Sequence, residues 1–537
     1  MSQNQTNWDE EAMANYDKAL AINPDDYLAW NNRGIALARV GQLEEAVASF
    51  DKALECKGDY YEAWYNRGNV LMKLGRLEAA LASFDKALEF KSDYYEAWYN
   101  RGIVLDDLGE LEKAITSFDK AIEFKPNSYE AWYNRAIALE ELGLLEKAIA
   151  SYDKTLEFKP EFYDAWNNRG IALGKLGRSE EAFASFDNAL VIKPDYYQAW
   201  NNRGYALMNL GRSEAAIASF DNALELKPDD DSAWYNRGYA LDELGRLEEA
   251  IACYDKALEI KADDDSTWYN RGYALMNLGR IEEALISFDK SLELKLDSYK
   301  AWNNRGNALK KLGRLPEALT SYNRALELAP EYHIAWNNQG VALKNLGRIE
   351  EAIASFDKAL EFRPNYNSAW YNRGHALLSL GRLEEAISSL DKALEFQPNY
   401  HLAWYNRGDA LLDLGRWEDA TASYDKALSI KPDAHAAWYN RGIALMKLGR
   451  LEEAIASCNK ALELKPDDSA AWYNKACCYA LQGNIELAIE NLKQAINLNP
   501  EKCPKIAKND SDFDNIREDE RFQALIQVRP MESLTGE

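Results

Sequence analysis

The sequence predicts an all-α solenoid made of antiparallel helix pairs. Three observations carry that prediction. Trp234 has a counterpart every 34 residues, from Trp30 to Trp472. A Gly follows each of these tryptophans at one fixed distance, from Gly41 to Gly483. An Ala holds a second fixed place in every unit, from Ala46 to Ala488. The period repeats fourteen times over residues 27–502 without insertion or deletion. A fixed period of this size is the mark of stacked repeats, and it outranks any local motif.

The elements follow from one unit, residues 231–264, with Asp231 as position 1. Positions 2 to 14 place Trp234, Ala240, Leu241 and Leu244 on one stripe, which predicts a leading helix. Gly245, at position 15, stops it, because glycine accepts a positive φ at little cost. Glu248 and Glu249 then open a trailing helix at the end of its dipole that favours acids. Ala250, Ile251, Tyr254, Ala257 and Leu258 form its apolar face. Pro closes ten of the fourteen units at position 32. Each helix spans about 13 residues, near the length at which an isolated helix is marginal, so neighbours must supply the core. Position 8 is Gly in twelve units although it lies mid-helix. There glycine costs about 1 kcal/mol against Ala, which predicts a close approach of helix backbones.

This pattern resembles the tetratricopeptide repeat (TPR), whose signature is W-x2-L-G-x2-Y, then A-x3-F, A and P. The resemblance covers about nine tenths of the chain. It implies a right-handed superhelix whose concave groove is lined by the leading helices. Two departures recur. The signature's Tyr at position 11 is Leu everywhere except Tyr479, and its Leu at position 7 is Arg in twelve units. The form W-[YN]-N-R-G is similar to long bacterial TPR arrays.

The same register divides the chain. Residues 1–26 read as a half repeat, a trailing helix without its partner, suited to cap the first unit. Residues 503–528 leave the period and read as a helical cap over the last unit, with Ile506, Phe513, Ile516, Phe522, Leu525 and Ile526 as its apolar residues and Asp519 as a helix cap. Residues 529–537 read as a disordered tail.

Net charge is −25, from 88 acids against 63 bases. That balance argues against a nucleic-acid partner, and its simplest reading is a solvated convex face. No run is long enough to span a bilayer. The N-terminus lacks a basic stretch followed by an apolar one, so a cytoplasmic location is expected. The six cysteines, Cys56, Cys253, Cys458, Cys477, Cys478 and Cys503, form no CxxC pair and read as buried small apolar residues. No metal or cofactor is expected, and no catalytic constellation appears. Acid pairs such as Asp106–Asp107 read first as helix surface.

Binding is the better place to look. Positions 2, 5, 6, 9, 12 and 13 fall away from the core stripe. Position 6 is Asn in all units: Asn32, Asn66, Asn100, Asn134, Asn168, Asn202, Asn236, Asn270, Asn304, Asn338, Asn372, Asn406, Asn440 and Asn474. An amide both donates and accepts, which suits the backbone of an extended peptide. It equally suits a structural bond to a neighbouring helix. As a peptide ladder it resembles the asparagine row in the TPR region of O-GlcNAc transferases. Other groove positions vary. Units 2–4 are acidic, with Glu62, Glu96, Glu130, Asp106, Asp107, Glu140 and Glu141. Units 6–8 carry Tyr205, Tyr239, Tyr273, Met208 and Met276. Units 9–10 are basic, with Lys300, Lys310, Lys311 and Lys344. The expected role is a non-catalytic scaffold for a protein or peptide partner. The alternatives are a substrate adaptor for a separate glycosyltransferase and a structural spacer. The oligomeric state is left open.

The Arg at position 7 needs an anion, and the period nominates one. Position 25 is Asp in eleven units, sixteen residues before the next unit's Arg: Asp51–Arg67, Asp85–Arg101, Asp221–Arg237 and so on. Where Arg gives way to Gln339 and Lys475, the Asp gives way to Asn323 and Asn459. The expectation is a bidentate inter-repeat ion pair and an amide contact between Asn323 and Gln339.

Overall fold

The computed structural model describes the backbone of residues 3–527 and the side chains of residues 12–527. The expected disordered tail, 529–537, lies outside the described residues. Two compact bodies are present, Met1–Asp263 and Asp264–Glu537. The first opens with a helix, Gln3–Ile22, longer than the repeat pattern alone implies. Seven helix pairs follow, from Tyr27–Val40 with Leu43–Cys56 to Asp231–Glu243 with Leu247–Ile260. The second body holds seven pairs, from Asp265–Leu278 with Ile281–Leu294 to Ser469–Leu481 with Ile485–Leu498. Two short helices, Cys503–Ala507 and Glu520–Ile526, flank a 3₁₀ turn, Ser511–Ile516. No strand occurs among the described residues.

The turn inside each pair depends on its glycine. Gly75 has φ +70°. Beside it, Arg76 N–H donates to Leu71 O at 2.9 Å and Gly75 N–H to Met72 O at 3.0 Å. This is a Schellman-type stop, which closes the last carbonyls of the leading helix. The fully buried Ala80, at position 20, lets the two helices close together.

The mid-helix glycine at position 8 has a different cause from the expected backbone approach. A Cβ on Gly68 would lie 2.6 Å from Cε1 of Phe84, the position-24 ring of its own unit. Most units repeat this: the aromatic ring rests on the glycine face. A carbonyl from the trailing helix also closes on Gly238 and Gly272, at 3.2 Å from the Cβ position. Ring volume therefore explains why ten of the twelve units tolerate glycine's helix penalty, whereas Gly374 faces Leu390 and Gly442 faces Cys458.

Between units the core continues through small clusters. Ala53, Leu54 and Ala63 pack with Trp30 and Trp64, so a leucine of one unit sits between two successive tryptophans. Each indole also makes a polar link. Trp64 Nε1 donates to Gly58 O at 2.8 Å and Trp132 Nε1 to Pro126 O at 2.9 Å. What this link uses at position 32 is the carbonyl and not the pyrrolidine ring. Gly58, Ser92 and Leu296 therefore serve as well as Pro.

At the C-terminal end, Phe513, Ile516 and Phe522 are buried against the last unit. Tyr473 meets Phe513 edge-on at 5.6 Å. Ile506 departs from expectation: it is 42% exposed, and Cys503 and Ala507 take the inward places on its short helix. Asp519 caps the last helix by accepting from Arg521 N–H at 2.9 Å.

If the ring contact is why position 8 is glycine, Gly68→Ala should cost roughly 1–3 kcal/mol, the usual overpacking range. Gly442 faces no ring: Cys458 Sγ lies 3.1 Å from its Cβ position, and Ala454 O and Ser457 Cβ follow at 3.5 and 3.7 Å. Gly442→Ala should cost much less, because the gain in helix propensity offsets the contact. Denaturant unfolding of the two variants checks this, and equal losses would remove the ring from the explanation.

Candidate functional site

The position-7 guanidinium sits at the junction between a trailing helix and the next leading helix. Arg67 Nε lies 2.7 Å from Asp51 Oδ1, Arg101 Nε 2.6 Å from Asp85 Oδ1, and Arg237 Nε 2.7 Å from Asp221 Oδ1. The same contact recurs within each body, from Asp17–Arg33 to Asp221–Arg237 in the first and from Asp289–Arg305 to Asp425–Arg441 in the second, except at Gln339. It is not bidentate. The fork divides: Nη1 of Arg67 donates to Ser83 Oγ at 2.7 Å, and Nη1 of Arg101 to Ser117 Oγ at 2.6 Å. That serine, at position 23 of the Arg's own unit, itself donates to a carbonyl one turn back, as Ser83 does to Ala79 O. Each Arg thus ties the preceding unit's Asp to its own unit's Ser. Cys253 replaces the serine once and accepts from Arg237 Nη1 at 3.0 Å.

Gln339 reproduces the geometry without charge. Its Nε2 donates to Asn323 Oδ1 at 2.6 Å, while its Oε1 accepts from Ser355 Oγ at 2.7 Å. The position-23 serine escaped the sequence reading, although Ser stands there in nearly every unit, sixteen residues after the Arg as the Asp stands sixteen before it. A second cationic contact steadies the fork, since the guanidinium of Arg67 lies 5.8 Å from the Trp64 ring centroid.

The position-6 amides also serve the junctions. Nδ2 of Asn66 donates to Asn31 Oδ1 at 3.1 Å, that of Asn134 to Tyr99 Oη at 2.9 Å, and that of Asn372 to Asn337 Oδ1 at 2.9 Å. Each bond reaches position 5 of the preceding unit. Asn32 is exposed, Asn304 is buried, and the remaining members of the row are half-buried.

The variable groove residues fall into separate settings. In the first body, Glu96 is exposed, and Glu130 is half-buried and accepts from Ser128 Oγ at 3.1 Å. Glu140 accepts from Tyr152 Oη at 2.9 Å and pairs with Lys175 at 2.8 Å. Burial, then Glu141 and Asp107, push the Asp106 carboxyl above its ordinary range. Tyr205 and Tyr239 are 58% and 42% exposed. In the second body, Tyr273 is exposed, Lys310 and Lys344 are half-buried, and Lys311 is exposed. Burial pulls the Lys310 and Lys344 ammonium groups below the usual lysine range, and Lys311 adds to this at Lys310. His375 is lowered too, by burial and then Lys344.

The trailing helices carry laced surface charge, such as Lys120–Glu123 at 2.7 Å and Arg246–Glu249 at 2.6 Å. Five cysteines are buried, whereas Cys56 is exposed, contrary to the reading of all six as buried small residues. Cys477 Sγ and carboxylate oxygens of Asp510 and Asp512 lie within 4.8 Å of one another. This cluster acts in docking the C-terminal turn. Asp510 accepts from Tyr473 Oη at 2.8 Å and from Asp512 N–H at 3.1 Å. Burial holds the Cys477 thiol far above its ordinary range, which disfavours a thiolate ligand. No helix among the described residues is long and apolar enough to cross a membrane.

The Asp–Arg pairs are part-exposed, with 20% of the Arg101 and 51% of the Asp85 side chain accessible. A double-mutant cycle on Asp85 and Arg101 should therefore return a coupling of only about 0.5 kcal/mol. Losing the arginine strands no donor on Ser117, which already donates to Lys113 O at 2.9 Å. A coupling of several kcal/mol in urea unfolding would contradict this account.

No curated protein matches this chain. Among solved structures, it is similar to YrrB, described as a TPR protein with an unusual peptide-binding site. That match is at 28% identity over 34% of this chain and 93% of that one, with a TM-score of 0.33. It is similar to MamA from Desulfovibrio magneticus RS-1 at 23% identity over 32% and 96%, with a TM-score of 0.31. The APC/C hetero-tetramer Cut9–Hcn1 aligns at 16% identity over 90% and 96%, with a TM-score of 0.34. Tetratricopeptide repeat profiles match residues 65–129, 99–161, 201–266, 303–367, 337–401, 371–434 and 405–469. Further repeats match at 15–48, 163–196, 266–297 and 469–502. With well over half of its length matched, and helix pairs at that period, the chain belongs to the tetratricopeptide repeat family.

Proposed function

We propose that the chain is a non-catalytic scaffold that binds an extended segment of a partner protein against its leading helices. The observation that carries this reading is the position-6 amide. There is one per unit, always at the same register, and in units such as those of Asn66, Asn134 and Asn372 its rotation is set by the bond from Nδ2 to position 5 of the preceding unit. An oriented amide suits a partner's backbone and reads no particular side chain. Discrimination then falls to positions 9, 12 and 13, which vary from unit to unit. Family membership supports a protein partner.

In the second body the variable positions favour an anionic group. Burial without a counter-charge disfavours the ammonium forms of Lys310 and Lys344, and a carboxylate from the partner would reverse that cost.

Phage-displayed random peptides panned on the full chain test the reading. Acidic peptides among those selected should bind roughly tenfold more weakly to Lys310→Glu/Lys311→Glu than to Lys358→Glu/Lys392→Glu. The second pair makes the same charge change on trailing-helix lysines already matched to Glu361 and Glu395. Binding should also weaken with salt. Equal effects of the two double variants would refute a leading-helix site.

A further inference from the structure

Three successive hollows lie along the leading helices of units 4 to 7, all within the first body. The first, about 240 Å³, is bounded by Ile137, Glu140, Glu141, Asn168 and Lys175. The second, about 230 Å³, shares Lys175 and is otherwise mainly apolar, with Ile171, Ala182, Phe186 and Tyr205 around it. The third, about 420 Å³, shares Tyr205 and continues past Met208 and Tyr239 to Glu243. Shared walls make them one trough.

The middle hollow is bordered by one unusual residue. Position 12 carries Met, Leu, Lys, Asp or Glu in most units, but Gly in unit 5. A Cβ on Gly174 would meet nothing within 4 Å. Neither turn geometry nor a packing clash calls for glycine there, and its helix cost of about 1 kcal/mol is uncompensated within the fold. Tyr205 stands 58% exposed at the rim of the space left open. An open apolar hollow beside an exposed ring is the usual form of a side-chain pocket.

The charges around it have one sign. Lys175, the cation on the trough wall, is matched to Glu140 at 2.8 Å. Beyond it, burial and then the neighbouring Glu141 and Asp107 push the Asp106 carboxyl above its ordinary range. At the other end, Glu243 does the same to Asp242, after burial. A cationic occupant would relieve both ends.

We propose that this trough binds an extended segment of a partner protein that carries a bulky apolar side chain flanked by basic residues three and six residues away on one side and six on the other. The inference rests on the scaffold reading above. The apolar side chain enters between Gly174 and Tyr205. Packed helices stand about 10 Å apart, and an extended chain advances about 3.3 Å per residue, so one unit corresponds to about three residues. One basic side chain, three residues from the apolar one, therefore reaches Glu140 and Glu141, a second, six residues away, reaches Asp106 and Asp107, and a third, six residues away on the far side, reaches Glu243 two units beyond Gly174.

The test is fluorescence anisotropy on the full chain with two labelled peptides, KSGKSGFSGSGSK and its reversal KSGSGSFGSKGSK, since the segment can run in either direction. One of them should bind. Gly174→Leu should weaken it at least tenfold. That variant keeps the fold because Leu378 and Leu412 occupy the same position in other units. Asp107→Asn/Glu141→Gln should weaken binding severalfold and flatten its salt dependence. Unchanged affinity for Gly174→Leu, or equal binding of the acidic peptide ESGESGFSGSGSE, overturns the proposal. If neither basic peptide binds while library-selected peptides still respond to Lys310→Glu/Lys311→Glu, this site falls and the scaffold reading stands. If those peptides do not respond either, both fall.

Discussion

Within each unit the structure depends on a ring seated on a helix that has no side chain at that point. Phe84 over Gly68, Phe186 over Gly170 and Tyr322 over Gly306 are the same contact. It sets how closely the two helices pair, because a Cβ there would occupy the space of the ring. The small alanines at positions 20 and 27 extend the close approach along the trailing helix. Glycine's helix penalty of about 1 kcal/mol is offset by burying a ring whose transfer from water is worth about 1.5–3 kcal/mol. Unit 4 keeps a fully buried Tyr152 with Ala136 at position 8, so a ring is also accommodated beside a Cβ there.

Between units the work is shared by weaker and more directional contacts. An indole N–H reaches back to a carbonyl, an amide reaches back to position 5, and a guanidinium holds an Asp behind it and a Ser beside it. Part-exposed ion pairs add little net stability, but a fork with two acceptors in fixed places permits one stacking register. Gln339 supports this view. It loses the charge and keeps both contacts, one to Asn323 and one to Ser355. The junction conserves geometry where it gives up electrostatic attraction.

A frame carried by positions 3, 4, 6, 7, 8, 20, 23, 24 and 25 leaves positions 9, 12 and 13 of the leading helix free to differ. Side-chain chemistry varies there. The same place holds Glu140 bound to a tyrosine, Gly174 opening a hollow, Lys310 short of a counter-charge and Leu378 packed against its neighbours. A solenoid can thus present different chemistry along its length without altering the packing that supports it.

The helix pairs, their turns and their register were legible in the sequence, because a 34-residue period repeats every local signal fourteen times. The Asp–Arg partnership was legible for the same reason, since its substitutions coincide at positions sixteen residues apart. Three things needed the tertiary structure. The serine at position 23 shows no charge pattern, so only the split of the guanidinium fork reveals it. The glycine at position 8 signalled a close approach, but whether backbone or ring fills the space depends on which atoms fold over it. The outward turn of Ile506, 42% exposed beside a buried Cys503 and Ala507, depends on how a five-residue helix lies on the last unit. Periodicity dictates what every unit shares; a single contact made across elements, or at one end of the array, has no second copy in the sequence to betray it.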